Sequence, residues 1–433
     1  MNKPSLSLIA FSIVLAGCGG SDSGNDNTDS GGTPEVPNMV TVEFVEKATQ
    51  CNFSQPATDV TVIVQREDGS LLKELTPDSQ GKLEFPWDSN SAHFTTVTTQ
   101  GGNYNIKTQL NWVGDDLGVR SSRSDDLNVQ CECQDFEFDT SELAATYPDY
   151  ELVIARDRYG LTGQSLSKQF CRTSGETFAP VDLMLRPLNS SADAYGVVLD
   201  INDSESSIGL AVNMFTGSDN LGVLLDIQTD ADDTSHLRSY ANTFNGQQHS
   251  VFDSERMYVF PQLQEYNLVQ AYRFVDLEST AQGEIDYTAI RRIRVTDPEE
   301  VQNITIAQNE VLLLEAANQL FSGIISGNSA SYDFSHIGAG RSAFTMDVNA
   351  ANFDWYLTGP LKGEVPDLAL PANIENALAD SVTRMAISTF GYHQGGSIEL
   401  LRSEWAKETR TPGALRTAYF DNYDTELISI TLF

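Results

Sequence analysis

The sequence predicts a mainly β protein: a β-sandwich near the N-terminus, then one or two further β-rich domains with few short helices. Three observations predict it. Apolar and polar residues alternate, as in Val40-Thr41-Val42-Glu43-Phe44 and at Val60, Val62 and Val64, and a period of two gives a strand one buried face. Val, Ile, Thr and aromatic residues are frequent, and these side chains suit a pleated, half-buried surface. Turn residues recur about every 8–12 positions, the spacing of short antiparallel strands.

The chain opens with Met1-Asn2-Lys3, one positive charge ahead of an apolar run over 6–16. That run is shorter than the roughly 20 residues a spanning helix needs, and it fits the apolar region of a secretory signal with small residues before the cut. It ends in Leu15-Ala16-Gly17-Cys18, which resembles the lipobox of bacterial lipoproteins. The resemblance implies a signal peptide over 1–17, cleavage before Cys18, a thioether diacylglycerol on that sulfur and an acylated, palmitate-type new N-terminus. Several acyl chains, each contributing about 0.8 kcal/mol per buried CH₂, hold a membrane far more firmly than one myristoyl group. Gly19 follows Cys18. An Asp there would resemble an inner-membrane retention signal of Gram-negative lipoproteins, so the expected location is the outer membrane, with either face open.

Residues 18–38 are rich in Gly, Ser, Asp, Asn and Thr, with Pro34 and Pro37 near the end. They carry almost no apolar side chains to offset the entropy of ordering, so a disordered tether is expected. Their Asp residues lack the regular spacing and closing Glu of a calcium loop.

Residues 39–134 read as the sandwich. Glu67-Asp68-Gly69-Ser70 and Asp78-Ser79-Gln80-Gly81 supply turns, because Gly tolerates positive φ. The succession Val60-Thr61-Val62-Ile63-Val64, Asp68-Gly69-Ser70, then Asp78-Ser79-Gln80-Gly81-Lys82-Leu83-Glu84-Phe85 resembles carboxypeptidase regulatory-like and bacterial Ig-like domains. The likeness covers some thirty residues and implies an Ig-like β-sandwich used as a stalk or spacer. Further strands are expected over 93–99, 104–112 and 127–130.

Beyond the tether lie about 395 residues, room for two or three domains with proper cores. Two further β-rich segments are expected, 135–300 and 301–433. The first carries expected strands at 151–155, 181–185, 195–201, 208–215, 221–227, 256–260, 271–275 and 289–295. The second carries strands at 303–307, 343–348, 353–357, 382–390, 397–401 and 426–432, and a short helix over 374–379 introduced by Pro371 and Asn373. Residues 311–321 fit a short helix or a bent strand. A faint echo pairs Phe252-Asp253, Pro261-Gln262-Leu263 and Gly283-Glu284-Ile285 with Phe353-Asp354, Pro366-Asp367-Leu368 and Gly396-Ser397-Ile398, as two related domains would. Phe433 ends an apolar strand, but stepping back in twos meets Thr431 and Ser429, not the lipid-facing alternation of a membrane barrel.

A formal net charge of -35 argues against nucleic acid or anionic lipid headgroups, which need clustered Lys and Arg. The densest basic spot, Arg291, Arg292 and Arg294 on one expected strand, is modest. Such acidity serves solubility and self-repulsion.

Of five cysteines, Cys18 is assigned to lipid. An even four remain, Cys51, Cys131, Cys133 and Cys171, and in an exported chain they point to two disulfides. A Cys131–Cys133 bridge across one residue would be strained. Each of the other two connectivities ties Cys51 to one member of the pair and Cys171 to the other, clamping both neighbours to the junction. Cys-x-Cys is neither the thioredoxin nor the zinc spacing, and no His lies nearby.

No catalytic motif emerges. His93, His236, His249, His336 and His393 never fall at i, i+2 or i, i+4, and His-Glu-x-x-His, Gly-x-Ser-x-Gly and the nucleotide-binding Gly loops are missing. Ser165-Leu166-Ser167-Lys168 matches Ser-x-x-Lys without its companion motifs. Asp230, Asp232 and Asp233 with His236, and Asp200, Asn202, Asp203 and Glu205, have the composition of solvated loops. Trp355, Tyr356, Tyr392 and Trp405 would suit sugar stacking if exposed and core packing if not. The expectation is a non-catalytic, lipid-anchored envelope protein with a structural or binding role, with no metal or cofactor. A carbohydrate- or peptide-binding module is the first alternative, and a hydrolase with a loop-built site is the second.

Overall fold

Residues 60–65, Val-Thr-Val-Ile-Val-Gln, are buried on both sides of the backbone, which places this strand inside a layered structure. The computed structural model describes residues 38–433 except 156, 189–191, 231–234, 243–247, 254–256, 265, 326–329, 378–381, 393–394 and 412–417. The signal segment, Cys18 and nearly all of the tether lie outside the described residues. Among those described, the molecule is mainly β.

Its largest sheet has twelve strands in the order Gln248–Asp253, Ser235–Asn242, Tyr266–Thr280, Gly283–Arg294, Tyr423–Leu432, Val382–Tyr392, Ala343–Ala350, Phe353–Gly359, Asn103–Gln109, His93–Gln100, Val60–Gln65 and Leu71–Leu75. Neighbours along this path are antiparallel except at one seam. There Phe353–Gly359 runs parallel to Asn103–Gln109, with Phe353 opposite Tyr104 and Thr358 opposite Gln109. One hydrogen-bonded ladder therefore spans strands from all three of the β-rich sequence segments.

The N-terminal strands form a sandwich. Asn38–Ala48 pairs antiparallel with Lys82–Trp87 and parallel with Asp116–Ser124, and this small sheet packs on the outer face of Val60–Gln65. Val40, Val42, Phe44, Val60, Val62, Val64, Phe85, Phe94, Trp112 and Leu117 fill the space between. On the opposite face Ile63, Val97 and Ile106 meet Leu370 and Ile374, the latter on the helix Ala372–Ala377. The turn at Gly69 has φ +85°, and a Cβ there would lie 2.1 Å from the Asp367 carbonyl oxygen. Only Gly fits both constraints.

Cys131–Asp139, Ser165–Thr173 and Ser207–Gly209 form a three-stranded sheet, and Asp157–Gly160, Tyr150–Ile154, Val181–Pro187 and Tyr195–Leu199 a four-stranded one. Between them Phe136, Phe138, Leu152, Ile154, Leu183, Leu185 and Phe215 make a second core. Each fully buried side chain of this size stabilises by about 1.5–3 kcal/mol.

One expectation left open is settled and several others are corrected. The ambiguous 311–321 is helical, Glu310–Ile325: Leu313, Ala316, Ala317, Leu320 and Phe321 recur at helical spacing and are buried in the main core. The expected strand 397–401 is also a helix, Ile398–Arg410, whose N-cap Ser397 side chain accepts from the Leu400 N–H. Its buried stripe is Ile398, Leu401, Arg402 and Ala406, and Lys407 and Arg410 sit in the last turn, where cations are stabilised by the negative end of the helix dipole. The expected strand 127–130 is a 3-10 turn, Asp126–Gln130. Its Asn128 Oδ1 accepts from the backbone of Thr49 and Gln50, both at 3.1 Å. The strand expected over 208–215 stops at Gly209 and gives way to a 3-10 turn, Val212–Met214. The internal echo does not survive either, because Gly283 opens a strand whereas Gly396 leads into a helix.

Candidate functional site

The cysteines settle first. Cys51 bonds Cys131 and Cys133 bonds Cys171, one of the two connectivities the sequence left open. Cys171 lies directly opposite Cys133 in the ladder between Ser165–Thr173 and Cys131–Asp139. The two bridges are sequential, not interlaced, so each side of the junction is tied to it independently.

A cleft lies at the ends of the Tyr266–Thr280 and Gly283–Arg294 strands. It encloses about 390 Å³ and is lined by Val259, Pro261, Gln264, Asn267, Arg294, Val295, Thr296 and Pro298. Four of these lining residues are apolar and four are polar, and the volume falls near the lower end of small-ligand pockets. The turn that forms its floor is held by Asn267, whose amide donates to the Gln264 carbonyl at 2.8 Å and whose Oδ1 accepts from the Phe260 N–H at 3.3 Å. The Arg294 guanidinium lies 4.4 Å from the centre of the Tyr266 ring, and its Nη1 donates to Asp421 at 3.4 Å. Asp421 also accepts from the Tyr266 hydroxyl.

Gln264 is 3% exposed. Neither amide atom closes a hydrogen bond of good geometry among the described residues. Behind it stands Asp182, 7% exposed. Burial pushes the Asp182 carboxyl up to about 6, and the facing Gln264 amide offsets part of that rise. Sequence reasoning missed Gln264 and Asp182, since no motif marks either. In the sequence Arg294 stands in a basic spot with Arg291 and Arg292, and the strand separates that trio. Arg291 pairs with Asp424 at 3.2 Å, Arg292 points to the other face over the Tyr423 ring, and Arg294 reaches the cleft.

A buried polar cluster lies deeper in the main core. Glu426, fully buried, accepts from Arg341 Nη2 at 2.7 Å, the Tyr287 hydroxyl at 2.6 Å and the Asn309 side-chain amide at 3.1 Å. Arg341 also pairs with Asp424 at 2.6 Å. Burial, then the Glu426 carboxylate, raises the Tyr287 hydroxyl far above its ordinary range. Each acid here has a cation or donor, which is the arrangement of a structural clasp.

The other sequence candidates scatter. His93 is 1% exposed, with Nδ1 accepting from the Asn111 N–H at 3.1 Å and Nε2 3.3 Å from the Glu67 carbonyl, so it is a core residue. His336 is exposed on a loop. His393, Asp232 and Asp233 lie outside the described residues, as do the side chains of His236 and His249. Asp230 accepts from the Ile306 N–H at 2.9 Å. Asp203 pairs with Arg172 at 2.6 Å. Ser165 and Lys168 share the strand Ser165–Thr173, where i and i+3 point to opposite faces, and Lys168 pairs with Asp157. Trp355 donates to Thr108 at 3.0 Å, Trp405 stacks on Phe390 at 5.7 Å, and Tyr392 packs among Tyr419, Phe420 and Tyr423. Of the four, Tyr356 alone is exposed, at 39%.

Among the described residues, no helix is long and apolar enough to cross a membrane. No protein-family model and no curated protein matches the chain. One solved structure, the Bacillus anthracis TIE protein, is 11% identical over 62% of this chain and 50% of its own, with a TM-score of 0.15. This chain thus spans half of that protein's length, and so low a score carries no argument about fold or function.

Proposed function

We propose that this chain is an exported lipoprotein, anchored through Cys18 in the outer membrane, whose β-rich, non-catalytic body binds a ligand in the cell envelope. The partition of the cysteines carries the reading. Four of five form disulfides with one another, a pattern of oxidising compartments outside the cytosol. The fifth stands in Leu15-Ala16-Gly17-Cys18, where the lipobox resemblance gives it the lipid.

The cleft that could take such a ligand is lined by Val259, Pro261, Val295 and Pro298 and by the polar Gln264, Asn267, Arg294 and Thr296. The first test is Cys18→Ser followed by fractionation. Loss of lipid labelling and release of the protein from membranes support the anchor, and a variant still held in the membrane fraction refutes it.

A further inference from the structure

We infer that one end of the N-terminal sandwich holds a site for a single tetrahedral oxyanion, a phosphate or sulfate group, between Lys107 and Arg120. The site lies apart from the cleft at Gln264 and Arg294, and it depends on neither that cleft nor the anchor.

Strand register brings the two cations together. Arg120 lies opposite Phe44 in the parallel ladder of the small sheet. Phe44 points into the sandwich core, so Arg120 and Ser122 point inward too. In the facing sheet Phe94 points inward, and Thr96 and Thr98 follow it in steps of two, opposite Lys107 and Asn105. The apolar filling of the sandwich thus gives way at this end to six polar side chains, which line one cavity of about 30 Å³. That is room for about two waters or for one small ion.

Among the described residues neither cation has a salt bridge or a side-chain hydrogen bond. The Arg120 Nε is shut from solvent without an acceptor, whereas its two Nη atoms are not shut off, so the fork opens on the cavity. Asp116, the acid whose charge acts on Arg120, is bonded twice to Arg410, at 2.6 and 2.5 Å. Burial, and then the Arg120 charge, lowers the Lys107 ammonium below its ordinary value. An anion between the two cations would remove their repulsion and take up their open donors. A carboxylate accepts in one plane. Here Lys107 and Asn105 stand on one wall and Arg120 and Ser122 on the other, which suits oxygens pointing to both sides. The net charge of -35 does not forbid such a site, because exposed acids are screened beyond about 8 Å at physiological salt.

The test is calorimetric titration of the full chain in detergent micelles with inorganic phosphate, sulfate, glycerol 3-phosphate and acetate, at constant ionic strength. Saturable binding of phosphate or sulfate is expected, with acetate roughly tenfold weaker for loss of charge-assisted contacts on one wall. Glycerol 3-phosphate that binds at least as tightly as phosphate assigns the site to a phosphoryl headgroup, and weaker binding assigns it to the free ion; either result upholds an oxyanion site. Arg120→Met and Lys107→Met should each weaken binding by about tenfold or more. Lys107 reaches solvent, so its variant keeps the test open if Arg120→Met fails to fold. Lys47→Met makes the same change of net charge at an exposed position outside the cavity and should bind like the parent. Equal weakening by Lys47→Met would reduce the effect to long-range charge and overturn the inference. Binding that survives both cavity variants, acetate held as tightly as phosphate, or no binding by folded protein would overturn it as well.

Discussion

Arg341 donates to Glu426 across 2.7 Å at a place where the two side chains are 1% and 0% exposed. The pair joins a loop before the Ala343–Ala350 strand to the Tyr423–Leu432 strand, and Tyr287 and Asn309 complete the shell around the carboxylate. Removing one partner of a buried pair leaves a charge without solvent or counterion, a loss of about 3–5 kcal/mol. Arg341→Met should lower the unfolding free energy by that amount in urea titration. The double change Arg341→Met/Glu426→Leu should recover a substantial part, because it removes the stranded charge.

Asp182 gives a pH dependence of known sign. Its carboxyl titrates at about 6 when folded against an ordinary 3.8, so the folded state binds the proton more tightly than the unfolded. This group therefore weighs nothing against folding below about pH 4. Stability falls as pH rises between the two values, and the whole penalty, on the order of 3 kcal/mol, is present above about pH 6. Asp182→Asn should leave stability unchanged near pH 4 and raise it at pH 7, as read from denaturant midpoints across pH. Equal effects at both values would contradict the assignment.

The disulfides close separate loops of sequence separation 80 and 38. Loop entropy assigns them about 4.5 and 4 kcal/mol at most. Because the loops do not overlap, Cys51→Ser/Cys131→Ser and Cys133→Ser/Cys171→Ser should each destabilise, and their effects should add. Strong coupling in the four-fold variant, measured by chemical denaturation, would show that the bridges do not act independently.

How much of this was legible depended on whether the cause was local. Alternation marked Val60, Val62 and Val64 as strand, and an even set of four cysteines beyond Cys18 marked the bridges. The partner of Asn103–Gln109 was not legible, since Phe353–Gly359 is a remote strand and its pairing leaves no local trace. Ser397-Ile398-Glu399-Leu400-Leu401 read as a strand because five residues show a period of two as easily as one of 3.6. The stripe through Leu401, Arg402 and Ala406 decides it only over the full helix. Arg291, Arg292 and Arg294 are neighbours in sequence, yet strand alternation turns Arg291 from the other two, and the step along the strand gives Arg292 and Arg294 different partners. Gln264 became a candidate only through its burial, which no motif encodes.

The claim on which the rest depends is that Cys18 is the lipid-bearing first residue of the mature protein. Mass spectrometry of the N-terminal peptide, taken from protein extracted from membranes, tests it directly. The account predicts a peptide that begins at Cys18 and carries diacylglyceryl and N-acyl groups. An unmodified Cys18 inside a longer peptide, or a mature chain that begins elsewhere, would contradict it.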